Sequence, residues 1–230
     1  MKSFYLLVDL GAVIVPLLFS FHSRIMFYKQ WKAIVLSLFL PLFLFLPWDM
    51  LFTSRGVWGF NENYLTGFRL YNLPIEEVMF FICIPYACLF TYYCIVHLKK
   101  QQNSDERKSL LYIIPSLLLL LTAVIFHEYA YTFSTALLLG IALLFGGFLF
   151  KNVLPRFYLV YAILLIPFFI VNGLLTGTGI ESEVVWYNNN ENLNIRLLTI
   201  PIEDVFYGML LVLLNVYCFE WFRSKRVYLN

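Results

Sequence analysis

Charge is scarce in this chain. Of its 230 residues only 13% are Asp, Glu, Lys or Arg, about half the share of a soluble domain. With 61% hydrophobic residues and a mean hydropathy of +0.78, the apolar residues come in long blocks rather than in half-buried stripes. A water-soluble globule is excluded, and the lipid bilayer is the expected environment. Cysteine is also sparse: Cys83, Cys88, Cys94 and Cys218 all fall inside apolar runs, which gives neither a disulfide framework nor a metal-ligand spacing. The three histidines (His22, His97, His127) are scattered at the ends of such runs, so no metal site is expected.

Further absences exclude functions. There is no P-loop, and GTGIES at 177–182 follows no strand, so it is no dinucleotide fingerprint. No aspartate-rich motif is present to hold a magnesium diphosphate. The last apolar run contains no lysine for a retinal Schiff base. No cofactor is called for, and no nucleic-acid partner is expected. The first apolar run lacks a small-x-small cleavage site and is expected to stay as a span.

A helical span needs about 20 mostly apolar residues. The runs give seven, at roughly 3–21, 31–48, 74–98, 109–126, 131–150, 155–172 and 201–222. Twelve basic residues (Arg24, Lys29, Lys32, Lys99, Lys100, Arg107, Lys108, Lys151, Arg156, Arg223, Lys225 and Arg226) then fall on one side of the membrane. Lys2, Arg55, Arg69 and Arg196 fall on the other. The positive-inside rule places the N-terminus outside and the C-terminus in the cytoplasm of a multi-pass cell-membrane protein.

The chain repeats itself. RLYNLPIEEVMF at Arg69–Phe80 returns as RLLTIPIEDVFY at Arg196–Tyr207. With an odd connector span, the two halves are parallel, and both motifs open helices at the outer face. The expected organisation is an all-α integral membrane protein of seven transmembrane helices. A first three-helix repeat (1–98) and a second (131–230) are joined by a loop and connector helix (99–130).

Pro74 and Pro201 suit a first helical turn, and acids there are favoured by the helix dipole. Glu76, Glu77, Glu203 and Asp204 are therefore partly explained as ordinary helix starts. That explanation weakens because other polar groups join them at the same depth: Asp49 in PWDM, Asn172 and Asp9, with Arg69 and Arg196 just outside. Ionisable groups in spans are costly and usually face the bundle interior. Adjacent helical residues differ by about 100°, so the two acids of a pair cannot point at the same place, and the sequence does not settle which face is inward. The identical Glu76 and Glu203 are favoured as the chemical pair, with Tyr207 on the Glu203 face and Glu77 and Asp204 supporting. Trp58 and Trp186 in the outer loops, with Phe80 and Phe81, are candidate substrate walls; aromatic faces suit a conjugated ligand or a carbocation.

PWDMLFTSRGVWGF, LPIEEVMFF and IRLLTIPIEDVFYGM together resemble the small integral-membrane lycopene cyclases, in the form that carries both halves in one polypeptide. The resemblance implies closure of the ψ end groups of lycopene to β-ionone rings without net redox change, as an intramolecular lyase or isomerase. It implies a carotenoid substrate, a one-ring intermediate on the way to β-carotene, and other carotenoid-biosynthesis enzymes as partners. Its acidic motifs fall on Glu76, Glu77, Glu203 and Asp204, and its span-end acid and amide on Asp49 and Asn172. The residues agree with that chemistry. A carboxyl can deliver a proton only while protonated, which burial and a like-charged neighbour favour. Glu76 or Glu203 is the expected donor, the other its base or proton-sharing mate, with Asp49 and Asn172 orienting. The rivals are a retinal- or carotenoid-binding protein and a proton-coupled transporter, the latter requiring acids through the whole membrane depth.

Overall fold

The computed structural model describes residues 2–98, 110–150 and 152–227. Lys99, Lys100, Arg107, Lys108 and Lys151, used above for orientation, lie outside the described residues. Seven α-helices make up most of the described residues: α1 Phe4–Phe19, α2 Trp31–Arg55, α3 Ile75–Leu98, α4 Leu110–Ile125, α5 Ala130–Leu149, α6 Leu154–Leu175 and α7 Ile202–Val227. Five of them (α2, α3, α5, α6 and α7) are long and apolar enough to cross a bilayer, while α1 and α4 are shorter apolar helices. Their outer faces are built from side chains such as Leu7, Ile14, Leu18, Leu117, Leu121 and Val124, which only a lipid environment can cover.

Two differences from the expected boundaries matter for the site. Helix α2 runs on past Pro47 to Arg55 and stops at Gly56, which takes the left-handed conformation at φ 68°. Asp49 therefore sits inside a continuous helix instead of at its end. Pro74 and Pro201 are not first-turn helix residues. Each closes a small hairpin, β2 Arg69–Leu70 with β3 Leu73–Pro74 and β5 Arg196–Leu197 with β6 Ile200–Pro201, and the helix begins at the next residue. Gly67 and Asn194 hold matching positions before these hairpins, both at positive φ (93° and 55°), a conformation that Gly adopts freely and Asn tolerates.

The two halves meet at one end of the bundle. Strand β1 (Trp58–Phe60) pairs antiparallel with β4 (Val185–Tyr187), with Gly59 opposite Trp186 at the centre. Trp186 lies flat on Gly59: a Cβ there would come within 2.3 Å of the indole, so only glycine lets this ribbon close. Hydrogen bonds recur in both halves. Val57 N–H reaches Phe52 C=O, and Val184 N–H reaches Leu175 C=O. The equivalence sets Asp49 against Asn172, three residues before each acceptor. The Thr53 and Thr176 hydroxyls likewise turn back to the residue one helical turn earlier, Asp49 and Asn172.

Within the bundle α1 packs along α3 and, correspondingly, α5 along α7; α4 packs mainly on α5. Helix α2 lies closely against α7, but α6 makes the equivalent approach to α3 only loosely. That departure from symmetry leaves a cavity.

Candidate active site

The cavity has a volume of about 250 Å³ and lies between α1, α3, α6 and α7 beneath the β1/β4 ribbon. Along α3 its wall runs from Glu77 to Thr91, about 21 Å at 1.5 Å per residue. The deep part is apolar, with Ala12, Pro16, Ile84, Leu164, Pro167 and Leu211 among its walls. Polar groups gather at the head, where Asp49, Glu77, Asp204, Asn172 and the tyrosines Tyr5, Tyr131, Tyr187 and Tyr207 line it with Trp58, Phe60 and Phe80.

Helical phase decides which acid of each motif reaches this head. Glu77 and Asp204 line the cavity; Glu76 and Glu203 do not. The latter two make matching structural bonds instead. Glu76 Oε1 accepts from the Thr66 N–H at 2.7 Å, and Glu203 Oε1 from the Leu193 N–H at 2.8 Å and the Thr132 hydroxyl at 2.7 Å. Each ties the outer loop to the start of its helix. The chemical pair favoured from sequence is thus turned out of the cavity, and the two acids taken as supporting are turned in.

The two inward acids have different surroundings. The Glu77 carboxyl takes the Tyr5 hydroxyl at 2.6 Å and lies against the Asp49 side chain, close enough for the two carboxyls to hydrogen-bond. Asp49 Oδ1 accepts the Trp58 indole N–H at 2.5 Å, while no N–H or hydroxyl donor reaches its Oδ2. Asp204 has no carboxyl partner in the cavity head. It is held by two phenols, Tyr131 at 2.6 Å on Oδ1 and Tyr187 at 2.9 Å on Oδ2. Burial and the neighbouring Asp204 hold the Tyr187 phenol well above its ordinary value, so it remains a donor. Around these groups the aromatic rings pack edge to face, with Trp58 5.0 Å from Tyr131 and Trp48 5.0 Å from Tyr207.

The family model described as lycopene cyclase matches residues 2–95 and 128–222. The chain belongs to the lycopene cyclase family. Among curated proteins it is similar to the bifunctional lycopene cyclase/phytoene synthases of Podospora anserina (27% identical over 107 residues) and Aspergillus oryzae (27% over 85 residues). These alignments take in 44% and 37% of this chain but only 17% and 14% of the relatives, so the chain spans a small part of their length. No solved structure matches it.

The remaining residues singled out from the sequence separate cleanly. Asn172, Tyr207, Trp58 and Phe80 are in the cavity wall. Phe81 is not: it is buried between Phe45 and Phe80 on the far side of α3. Trp186 covers Gly59 from outside and is 40% exposed. The arginines brace the hairpins. Arg69 pairs with Glu62 and donates to Asn72 C=O; Arg196 bonds Asn189 at 2.8 Å and Thr199 C=O at 3.1 Å, and lies over the Tyr187 ring. Sequence reasoning missed Tyr5, Tyr131 and Tyr187. A signal for the first two exists: Tyr5 and Tyr131 recur at nearly the spacing of the acidic motifs, one ahead of each half's second acid.

Proposed function

We propose that this chain closes the ψ end groups of lycopene to β-ionone rings by proton-initiated cyclisation, an isomerisation without net redox change. The observation that carries this reading is the pairing of unlike acids at the head of one apolar cavity. Two carboxyls in hydrogen-bonding contact share a proton. The Asp49–Glu77 pair is the acid, with Glu77, steadied by Tyr5, delivering its proton to the terminal alkene. Asp204, held on both oxygens by the Tyr131 and Tyr187 phenols and without a carboxyl mate at the cavity head, is the base. It stabilises the carbocation and takes the proton that the new ring loses, while the faces of Trp58, Phe80 and Tyr207 shield the cation. Asn172 stands where the other half has Asp49 and supplies a neutral polar wall. This reading moves the chemistry from Glu76 and Glu203 to Glu77 and Asp204.

The cavity admits one end of an extended carotenoid, whose length is comparable to the ~30 Å hydrocarbon core. The two ends therefore react in turn, through a one-ring intermediate. Both motifs open helices beside the β1/β4 ribbon, and with parallel halves 1–98 and 131–230 joined by the connector 99–130, this end is the outer face. The N-terminus is then outside and the C-terminus cytoplasmic, with seven spans in the cell membrane. Reporter fusions after residues 102 and 225 should read cytoplasmic and one near 189 should not; agreement between 102 and 189 would overturn the topology.

Expression in a lycopene-accumulating cell tests the activity. Ring-bearing carotenoids should appear with the wild-type chain and disappear with Glu77→Gln, which keeps the Tyr5 bond but cannot donate a carboxyl proton. The membrane abundance of the variant, measured in parallel, should be unchanged. Unaltered lycopene with wild-type protein, as a transporter or a purely pigment-binding protein would give, overturns the reading.

A further inference from the structure

Each ring closed at the site uses one proton and releases one. A C–H bond forms with the proton of the Asp49–Glu77 pair, a ring C–C bond forms from the alkene electrons, and a C–H bond breaks to hand its proton to Asp204. No electrons are gained or lost. After one ring the pair is a proton short and Asp204 carries one extra, so the next ring waits until the pair is refilled.

A second buried acid stands behind Glu77. Asp9 lies one turn along α1 from Tyr5, is 0% exposed, and has no hydrogen-bond partner among the described residues on either carboxyl oxygen. It is within electrostatic reach of Tyr5, Glu76 and Glu77. Towards the outer loop, Glu76 is also 0% exposed; its Oε2 and the adjoining Thr66 hydroxyl have no partner among the described residues either. Buried polar atoms without protein partners are strongly disfavoured unless water serves them, and a site with several such atoms meets the condition for holding it.

The other half shows what this region would be without a task. Thr135, one turn along α5 from Tyr131, stands in the place of Asp9. Leu193 stands in the place of Thr66, and the Thr132 hydroxyl closes onto Glu203. The Thr135 hydroxyl and Glu203 Oε2 are also without partners there, but among the described residues only the side of the Asp49–Glu77 pair adds a further buried acid, Asp9, to the arrangement.

We propose that Asp9, with Glu76 and Thr66, forms a hydrated proton-entry route from the outer loop that reloads Glu77 between ring closures. Asp9 touches neither substrate nor the reacting atoms; it acts through Glu77, and the inference rests on Glu77 being the donor. The test is rapid-quench analysis of the protein in lipid nanodiscs with excess lycopene, counting rings formed per protein. In Asp9→Asn the first ring should form at the wild-type rate with an amplitude near one per protein, followed by steady turnover slowed on the order of 10-fold or more. Asp9→Thr, which borrows the residue of the other half, should give the same burst, and Asp9→Glu should restore steady turnover. Wild-type steady rates in Asp9→Asn and Asp9→Thr overturn the route. So does a loss of the first ring in proportion to later ones in whichever of the two accumulates in the membrane. Failure of the cyclase reading looks different: no ring forms even with wild-type protein, or Glu77→Gln still gives the burst.

Discussion

Helix α2 against α7 and helix α6 against α3 are the same interface built twice, and only one of them is closed. On the closed side Trp48 and Phe52 of α2 fill the space, with Phe45 and Trp48 packed on Tyr207 at 5.3 and 5.0 Å. On the open side the matching residues of α6 are Val171 and Leu175, and Phe81 of α3 has Gly208 of α7 as its counterpart. Three large side chains are replaced by smaller ones at matching positions, and the space that remains is the cavity. The repeat therefore supplies a scaffold, and the cavity arises where the second copy lacks bulk. The acids diverge in parallel. One half presents Asp49 beside Glu77, and the other presents Asn172 and an Asp204 held by phenols; in the mechanism we propose, a duplicated helix start becomes an acid on one side and a base on the other.

The sharpest way to break this comparison is to exchange neighbours within one motif. Asp204→Asn removes the carboxylate between Tyr131 and Tyr187 and should lower ring formation on the order of 100-fold or more. Glu203→Gln, one residue away, keeps a carbonyl oxygen for both the Leu193 N–H and the Thr132 hydroxyl and should stay within about threefold of wild type. Pigment analysis of equal amounts of membrane protein measures both. Equal losses in the two variants would mean that the inward and outward acids do not differ in role.

The next largest effect should come from the residue that leaves the chamber open. A Cβ at Gly208 would lie 3.3 Å from the Phe168 ring, close but tolerable, while anything longer points into the cavity. Gly208→Phe copies Phe81, its counterpart on α3, and should abolish carotenoid binding. Activity should fall on the order of 100-fold, because an end group displaced by even an ångström no longer meets its acid. Its thermal stability should hold or rise, since the variant fills space instead of emptying it. A fully active Gly208→Phe protein would place the substrate elsewhere.

Much of the fold was legible because its cause is local. A run of about 20 apolar residues has few alternatives to a membrane helix, and α3, α5 and α6 begin and end within a few residues of the expected spans. The internal repeat was legible because its motif keeps Arg, Pro and Glu at fixed spacing. What stayed hidden depends on neighbours in space. Glu76 and Glu77 are a single residue apart, and which one faces inward is set by how α3 rolls against α1 and α7. The motif's identical glutamate suggested chemistry, but both copies use it to hold a loop N–H, a need the two halves share. The acids that differ, Glu77 and Asp204, are the ones whose surroundings differ. The tyrosines were hidden for another reason: in a chain with 16 of them, nothing in composition separates a hydrogen-bond donor from an interfacial ring.

The smallest effect should distinguish the two arginines, which hold matching places beside matching hairpins. Arg69 pairs with Glu62, and both side chains are well exposed, at 36% and 64%. Such an ion pair contributes about 0–1 kcal/mol, and nothing links it to the cavity, so Arg69→Gln should leave both stability and ring formation unchanged. Arg196 has Asn189 in place of the acid, and its guanidinium lies 5.6 Å from the centre of the Tyr187 ring. That contact helps fix a ring whose hydroxyl holds Asp204. A cation over an aromatic face at a partly exposed site contributes about 0.5–1 kcal/mol, which corresponds to a rate loss of roughly two- to fivefold if it acts wholly through Tyr187. Arg196→Gln should show that modest loss, and Tyr187→Phe should remove it, because without the hydroxyl the ring's position no longer reaches Asp204. Full additivity of the two changes would mean that Arg196 braces the hairpin alone, as Arg69 does, and that the halves differ at their acids but not in what supports them.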